Sequence, residues 1–257
     1  DKSFRMRIEN RDAFREILEK KGQVARTLRL MHRSGVLGRY LPEFGALDCL
    51  VQHEFFHRYT ADEHTLRCID QLDNLFDDKD PKHEIYRDIF VKHPDPYALF
   101  IALILHDTGR AENVREHIDG SAILAARLCK RLKISGGRRA LIIFLVDHHL
   151  TLWRFATKKN IDDPEVIREF AKIMRDRHRL DALLLFTYAD SNGTNEEAWS
   201  PWKETLILQL YRNTREFILK GMTAGKEEVD QDVQETLSEI KSGLKEKYHA
   251  IFDQHSK

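Results

Sequence analysis

Apolar positions along the chain recur at the spacing of helix faces, whereas the strict alternation typical of strands is weak throughout. The best-marked helix covers residues 60–76. Thr60 and Glu63 form a T-x-x-E capping box there, and Leu66 and Ile69 start a stripe with a period of 3.6 residues. Three further segments are almost continuously apolar, which is typical of helices at the centre of a domain: "LFIALIL", "LIIFLV" and "LLLFTYA". The pattern predicts an all-α fold.

The three apolar segments each run into side chains that can bind a metal ion: His106–Asp107, Asp147–His148–His149 and Asp190. A buried carboxylate is costly unless it is paired or holds a cation, and helical domains build metal sites between facing helices. His64, in the first turns of the capped helix, is a further candidate ligand, and His117 follows in a segment predicted to be a loop. These donors suit one or two divalent ions, with Mn, Mg, Fe, Zn and Co not distinguished.

Each of these residues also has an ordinary structural interpretation. A single histidine on a helix is most often a hydrogen-bonded or half-exposed side chain. Asp190, followed by Ser-Asn-Gly, fits the start of a turn, and His148–His149 fits the C-terminal end of a helix. The residues alone therefore leave the metal hypothesis and the structural one about equally supported.

Composition narrows the classes of partner. The 257 residues carry 42 basic and 42 acidic side chains, so the formal net charge is zero and DNA is not an expected partner. No apolar run approaches the length of a membrane span, so no membrane association is expected. The three cysteines form no CxxC motif, which predicts neither disulfides nor a thiolate zinc site and favours the cytoplasm. The first residue is Asp1, and we expect the chain to be a fragment of a longer protein.

The order His64, His106–Asp107, Asp190 resembles the HD superfamily of metal-dependent phosphohydrolases. That resemblance implies an HD-domain-like helical bundle with the metal site between core helices. It also implies that these four residues hold a divalent ion. The additional His117 and the pair His148–His149 resemble members with a second ion.

A longer resemblance covers residues 14–220. Stretches such as "VARTLRLMHRSGVLGRYLPEFGALD", "YTADEHTLR" and "RLDALLLFTYADSNGTNEEAWSPWKETLILQLYR" are similar to the HD domain of the bifunctional uridylyltransferase/uridylyl-removing enzymes. The resemblance implies a phosphodiester hydrolase that removes UMP from a tyrosine of a P-II-type nitrogen-regulatory protein. It also implies an N-terminal helical cap at 1–56, the hydrolase domain at 57–222 and a helical extension at 223–257.

The same resemblance implies roles for the residues around the ion. Asp107 would orient or bridge the attacking hydroxide, and Arg110 would neutralise charge on the phosphate. Apart from the resemblance, basic residues cluster near the proposed site in the sequence, and Arg154 and Lys158 among them are candidates to bind the phosphate. The family usually has lysine where this chain has Arg110, and a Gly-Gly-Asp-His run that is missing before His117. No nucleotidyltransferase motif precedes the domain, so no transferase activity is predicted for this chain.

Two other functions fit the sequence. One is a nucleotide or cyclic-nucleotide phosphohydrolase of the same superfamily. The other is a non-catalytic regulatory or partner-binding module, which the altered segment after Asp107 favours and the presence of all four ligands opposes.

Overall fold

The computed structural model describes residues 2–51, 58–109, 117–195 and 198–221. Every regular element within them is helical, which confirms the predicted all-α fold. The helices are α1 Lys2–Met6, α2 Ile8–Glu19, α3 Val24–Arg33, α4 Val36–Tyr40, α5 Pro42–Gly45, α6 Ala61–Asn74, α7 Glu84–Lys92, α8 Pro96–Leu105, α9 His117–Arg131, α10 Gly136–His148, α11 Thr151–Lys158, α12 Pro164–Met174, α13 Arg177–Thr194 and α14 201–221. A 3₁₀ turn, Pro81–His83, precedes α7.

Helix α8 is the centre of the bundle. Every residue from Tyr97 to Leu105 is buried, and the helix packs against α2, α6, α9, α10 and α13. A helix surrounded on all sides has no polar face, which explains why this segment is apolar all round. Asp95 caps its N-terminus by accepting a hydrogen bond from the backbone N–H of Ala98.

Helix α6 begins where its sequence predicted, but its capping box does not form. Thr60 occupies the N-cap position without a side-chain cap hydrogen bond. Glu63 instead accepts two hydrogen bonds of 3.0 Å from Arg29 on α3, whose guanidinium also binds Asp70. The predicted reciprocal pair is therefore replaced by an ion-pair network that attaches α3 to α6.

Helices α6 and α13 approach each other very closely. A Cβ atom built on Gly193 of α13 would lie 2.5 Å from Sγ of Cys68 and 2.8 Å from the backbone nitrogen of Cys68. Both distances are shorter than van der Waals contact allows, so the crossing requires glycine at this position. The contact fixes the separation of the two helices one turn from Asp190.

The N-terminal helices pack on the rest of the bundle, with α2 against α8 and α3 against α6. The buried carboxylate of Asp73 on α6 accepts hydrogen bonds from the backbone N–H groups of Gly22 and Ala25, at 2.6 and 2.9 Å. The predicted boundary at 56/57 lies outside the described residues, and so does the predicted extension at 223–257. None of the described helices combines the length and the hydropathy that crossing a membrane requires.

Candidate metal centre

Three helices bring a pair of imidazoles and a carboxylate together in the core. Nε2 of His64 on α6 lies 3.3 Å from Nε2 of His106, which directly follows α8. Oδ1 of Asp190 on α13 lies 3.1 Å from Nε2 of His64 and 3.4 Å from Nε2 of His106. Both histidines are almost fully buried. The sequence hypothesis therefore named residues that the fold places around one point.

Asp107 lies beside the same cluster. Its Oδ2 is 3.5 Å from Nε2 of His106 and 3.8 Å from Nε2 of His64, and only 4 % of its surface is exposed. The chain turns at His106 and Asp107 directly after α8 ends at Leu105. This turn allows consecutive side chains to face the same centre.

Hydrogen bonds of the histidine rings select the nitrogen that faces the cluster. Nδ1 of His106 lies 2.7 Å from the carbonyl oxygen of Leu103, and Nδ1 of His149 lies 2.7 Å from that of Val146. Because a carbonyl only accepts, each Nδ1 carries the proton and donates it. With Nδ1 of each ring donating to a carbonyl oxygen, Nε2 is the nitrogen that remains to bind a metal ion in place of a second proton.

The electrostatics of the cluster favour positive charge. Burial alone would lower the pKa of His106, but Asp107 and Asp190 outweigh it and raise that pKa to about 9. Burial likewise opposes ionisation of Asp190, but His106 and His64 hold its pKa well below the usual range. Two carboxylates and two imidazoles that together favour a cation are a donor set that fits a divalent metal ion.

His149, directly after α10, lies beside the cluster, whereas the neighbouring His148 does not. The ring of His149 is buried, with its centroid 5.6 Å from that of His106. Burial, and then the nearby His106, lower the pKa of His149. The half-exposed ring of His148 packs on Phe144, and its Nδ1 lies 3.2 Å from Oγ1 of Thr151. The predicted second-ion pair is therefore separated by the fold.

Cys68 was missed by the sequence reasoning, which expected no thiol among the donors. One ligand atom from each of Cys68, His64, His106 and Asp190 lies within 4.8 Å of all the others. Sγ of Cys68 is 3.6 Å from the His64 ring nitrogens, and burial raises the pKa of the thiol well above its usual range. Cys68 stands four residues after His64 on α6, a spacing that places both on one helix face.

The side chains of the remaining predicted residues either lie outside the described part of the structure or are exposed on its surface. Arg110 lies outside the described residues. His117 begins α9 instead of lying in a loop, and its side chain is not described. Arg154 and Lys158 lie exposed on α11, where Nζ of Lys158 is 5.9 Å from the ring centroid of Trp153.

The turn after the cluster is built by small buried side chains. Thr108 donates from Oγ1 to the carbonyl oxygen of Leu105 at 2.7 Å, and the backbone N–H of Gly109 donates to Oγ of Ser121 on α9 at 2.9 Å. A Cβ atom on Gly120 would lie 3.4 Å from Cα of Gly109. These contacts anchor α9 to the turn that presents His106 and Asp107.

Comparison with known proteins relates the chain to one group of enzymes. The family model described as "Uridylyltransferase GlnD third domain" matches residues 1–40. The bifunctional uridylyltransferase/uridylyl-removing enzyme of Pseudomonas fluorescens (strain SBW25) is 37 % identical over 223 residues, which are 86 % of this chain and 25 % of the relative. The enzymes of the same name from Stutzerimonas stutzeri (strain A1501) and Azotobacter vinelandii (strain DJ / ATCC BAA-1303) are 36 % identical over 231 residues and 35 % identical over 243. They match 89 % and 93 % of this chain, and the chain spans only about a quarter of each relative.

Proposed function

Since the chain is related over most of its length to one segment of the bifunctional uridylyltransferase/uridylyl-removing enzymes, we propose that it is a metal-dependent phosphodiester hydrolase. We further propose that its substrate is a uridylylated tyrosine of a P-II-type nitrogen-regulatory protein, from which it releases UMP. Such a substrate would place its action in the cytoplasm.

The observation that carries this proposal is the convergence of His64, His106, Asp107 and Asp190. Their side chains come from α6, the end of α8 and α13, and the nitrogen and oxygen distances between them run from 3.1 to 3.8 Å. The two carboxylates favour positive charge at this point, and clusters with such perturbed pKa values are frequent at functional sites. These four residues support one bound ion. The buried ring of His149 beside them supports a second ion, for which His149 would be a ligand.

The protein groups would divide the work of hydrolysis. A bound divalent ion would supply hydroxide at neutral pH and polarise the phosphoryl group. His106 would be kept in its ligand tautomer by Leu103, because its Nδ1–H donates to that carbonyl oxygen. Asp107 would orient the attacking water, while the buried surroundings exclude bulk solvent.

The substrate phosphate would need cations beyond those ligands. Arg110 directly follows the Thr108–Gly109 turn in sequence, and we propose that it neutralises charge on the phosphodiester. Arg154 and Lys158 on α11 are proposed as outer phosphate contacts. The leaving group is a tyrosine phenoxide, a much weaker base than an alkoxide, so the reaction needs less help from a general acid.

Release of UMP tests the proposal directly. The chain, loaded with Mn²⁺ or Mg²⁺, is incubated with a uridylylated P-II-type protein, and free UMP is measured by chromatography. We expect metal-dependent release and a loss of more than about 100-fold in Asp107→Asn, since even changes behind the ligands cost 10–100-fold. The matched control is Asp147→Asn, which changes an exposed carboxylate at the end of α10 and is expected to keep the activity.

Parallel substrates separate the alternatives. Release of UMP from the protein but slow turnover of free nucleotides and phenyl phosphodiesters supports the proposed substrate. Fast turnover of free or cyclic nucleotides would instead assign a nucleotide phosphohydrolase. No hydrolysis of any of them by folded, metal-loaded chain would refute the proposal and favour a binding module.

A further inference from the structure

A cavity lies away from the metal centre, where α2 meets the start of α8 and the turn between α9 and α10. It has a volume of about 400 Å³, within the range of small-ligand sites. Tyr97, at the start of α8, lines it and precedes His106 by nine residues, which correspond to about 14 Å along the helix. The cavity is therefore separate from the proposed hydrolytic site, although α8 contributes to both.

Every charged side chain that lines this cavity is basic. These side chains are Arg11 and Arg15 on α2, Lys133 in the turn and Arg138 on α10. Arg11 and Arg15 share one carboxylate, that of Asp12, which lies 3.4 Å from each of them. The two guanidinium groups on α2 therefore keep part of their positive charge for another anion.

The other two cations of the lining differ in their partners. Arg138 lies 2.7 Å from Asp95 and 3.6 Å from Glu19, so its charge is neutralised within the protein. Lys133 is exposed and has no carboxylate within ion-pair distance in the described part of the chain. The lining as a whole keeps an excess of positive charge, and Lys133 is its unpaired cation.

The hydroxyl group of Tyr97 faces the same cavity. Only 3 % of Tyr97 is exposed, yet its hydroxyl is not among the buried side-chain atoms enclosed by protein, so the exposed part includes the oxygen. The ring of Tyr97 lies 5.0 Å from the guanidinium of Arg138, but no described residue forms a hydrogen bond with the hydroxyl. Burial raises the pKa of Tyr97, so the hydroxyl keeps its proton and can donate it to a ligand.

Helix α10 begins at the edge of the cavity. Ser135 occupies its N-cap position and lines the cavity, but its side chain forms no cap hydrogen bond. The first N–H groups of a helix have no acceptor within the helix, and the helix dipole favours negative charge there. A Cβ atom built on Gly136 or Gly137 would meet nothing within 4 Å, so no other part of the protein covers these residues.

We propose that this cavity binds the phosphate group of a small phosphorylated molecule, with the hydroxyl of Tyr97, Nζ of Lys133 and the start of α10 as its donors. These donors come from three different elements around the cavity. A phosphate dianion has three acceptor oxygens that point in different directions, whereas the two oxygens of a carboxylate lie in one plane. Arg11 and Arg15 add to the attraction from α2.

Calorimetric titration of the protein with inorganic phosphate, and with acetate in a parallel arm at the same ionic strength, tests the proposal. It is done at about pH 8, where phosphate is mostly a dianion. The protein is first freed of metal ions, because an ion at the metal centre would itself bind phosphate. We expect saturable binding of phosphate, tighter than that of acetate. Tyr97→Phe should weaken it roughly tenfold, the range for a hydrogen bond to a charged group, and Lys133→Gln about fivefold.

The Tyr97→Phe variant also separates ligand contact from damage to the fold. Because the hydroxyl has no partner among the described residues, its removal should leave Tm unchanged while binding is lost. Tyr40→Phe is the matched control, since it removes a buried hydroxyl from a residue outside the lining and should bind phosphate as the wild type does.

Lys130→Gln controls for general attraction of anions. It removes one exposed positive charge from α9, three residues before Lys133 and outside the lining, and should keep wild-type affinity. The proposal is overturned by any of three results: no saturable binding of phosphate, tighter binding of acetate, or wild-type affinity in Tyr97→Phe. Equal losses in the Lys130 and Lys133 variants would overturn it as well.

Discussion

Replacing Gly193 with alanine should destabilise the protein at the crossing of α6 and α13. The new Cβ would meet Sγ of Cys68 at 2.5 Å, its backbone nitrogen at 2.8 Å and its Cα at 3.0 Å. A side chain can rotate away from such a contact, but the backbone of Cys68 is held within α6. The helices must therefore separate, or α13 must bend.

The size of the effect follows from two opposed terms. Overpacking a well-filled core costs about 1–3 kcal/mol, and contact with backbone atoms places this site towards the upper part of that range. Alanine gains about 0.5–1 kcal/mol over glycine within a helix. The expected net loss is about 1–2 kcal/mol, and each kcal/mol should lower Tm by roughly 2–4 °C in a chain of this size.

Urea unfolding followed by far-UV circular dichroism, on ion-free protein, measures this difference. Gly137→Ala is the matched control, because a Cβ at Gly137 in α10 would meet nothing within 4 Å. That control should be neutral or slightly more stable. If Gly193→Ala also equals or exceeds the wild type, the close approach of the helices does not constrain the fold and the reasoning is refuted.

Three further outcomes are expected. Burial holds the pKa of His93 at about 3 against 6.5 in the unfolded chain, so the folded state excludes a proton and stability falls as pH drops below 6.5. By pH 5 the loss from this group is at most about 2 kcal/mol, and urea unfolding of His93→Phe should show a correspondingly shallower dependence on pH. Mn²⁺ at about 100 times its Kd should stabilise the wild type by about 2.7 kcal/mol in thermal unfolding. Asp190→Asn should lose most of this stabilisation, and a variant stabilised as much as the wild type would contradict the metal centre. Arg29→Met should lower the free energy of unfolding, measured with urea, by about 1–3 kcal/mol, because it removes the charged hydrogen bonds to Glu63 and Asp70. A loss below about 0.5 kcal/mol would show that this network does not stabilise the fold.

The central helix and its two following residues were predictable from the sequence because burial and chemistry left a clear pattern. The apolar run ending at Leu105 is α8, and His106 lies directly beyond it. Asp190 was less clear, since the Ser-Asn-Gly that follows fits a turn. The structure continues α13 through Thr194, and Gly193 lies against α6 within its last turn.

Which of the adjacent His148 and His149 faces the cluster depends on which face of α10 is buried. Two adjacent histidines in a sequence do not show this directly. Leu145 and Val146 are buried, and His149 follows them by four and three residues, so it shares their face.

Cys68 had a similar signal in its spacing from His64. It was missed because cysteines were compared only with one another, whereas the cluster of candidate ligands includes one thiol from a helix that also carries a histidine.

The separation of the candidate metal ligands along the chain has a consequence for folding. His64 and Asp190 are 126 positions apart (190 − 64), yet their side chains lie 3.1 Å from each other. Contacts between residues so distant in sequence form slowly, because a long loop must close before they are gained. An ion that binds all four residues recognises only chains in which α6, α8 and α13 have already met. The rate at which an unfolded chain recovers its ion affinity would therefore report when these three helices have come together, independently of how fast the helices themselves form.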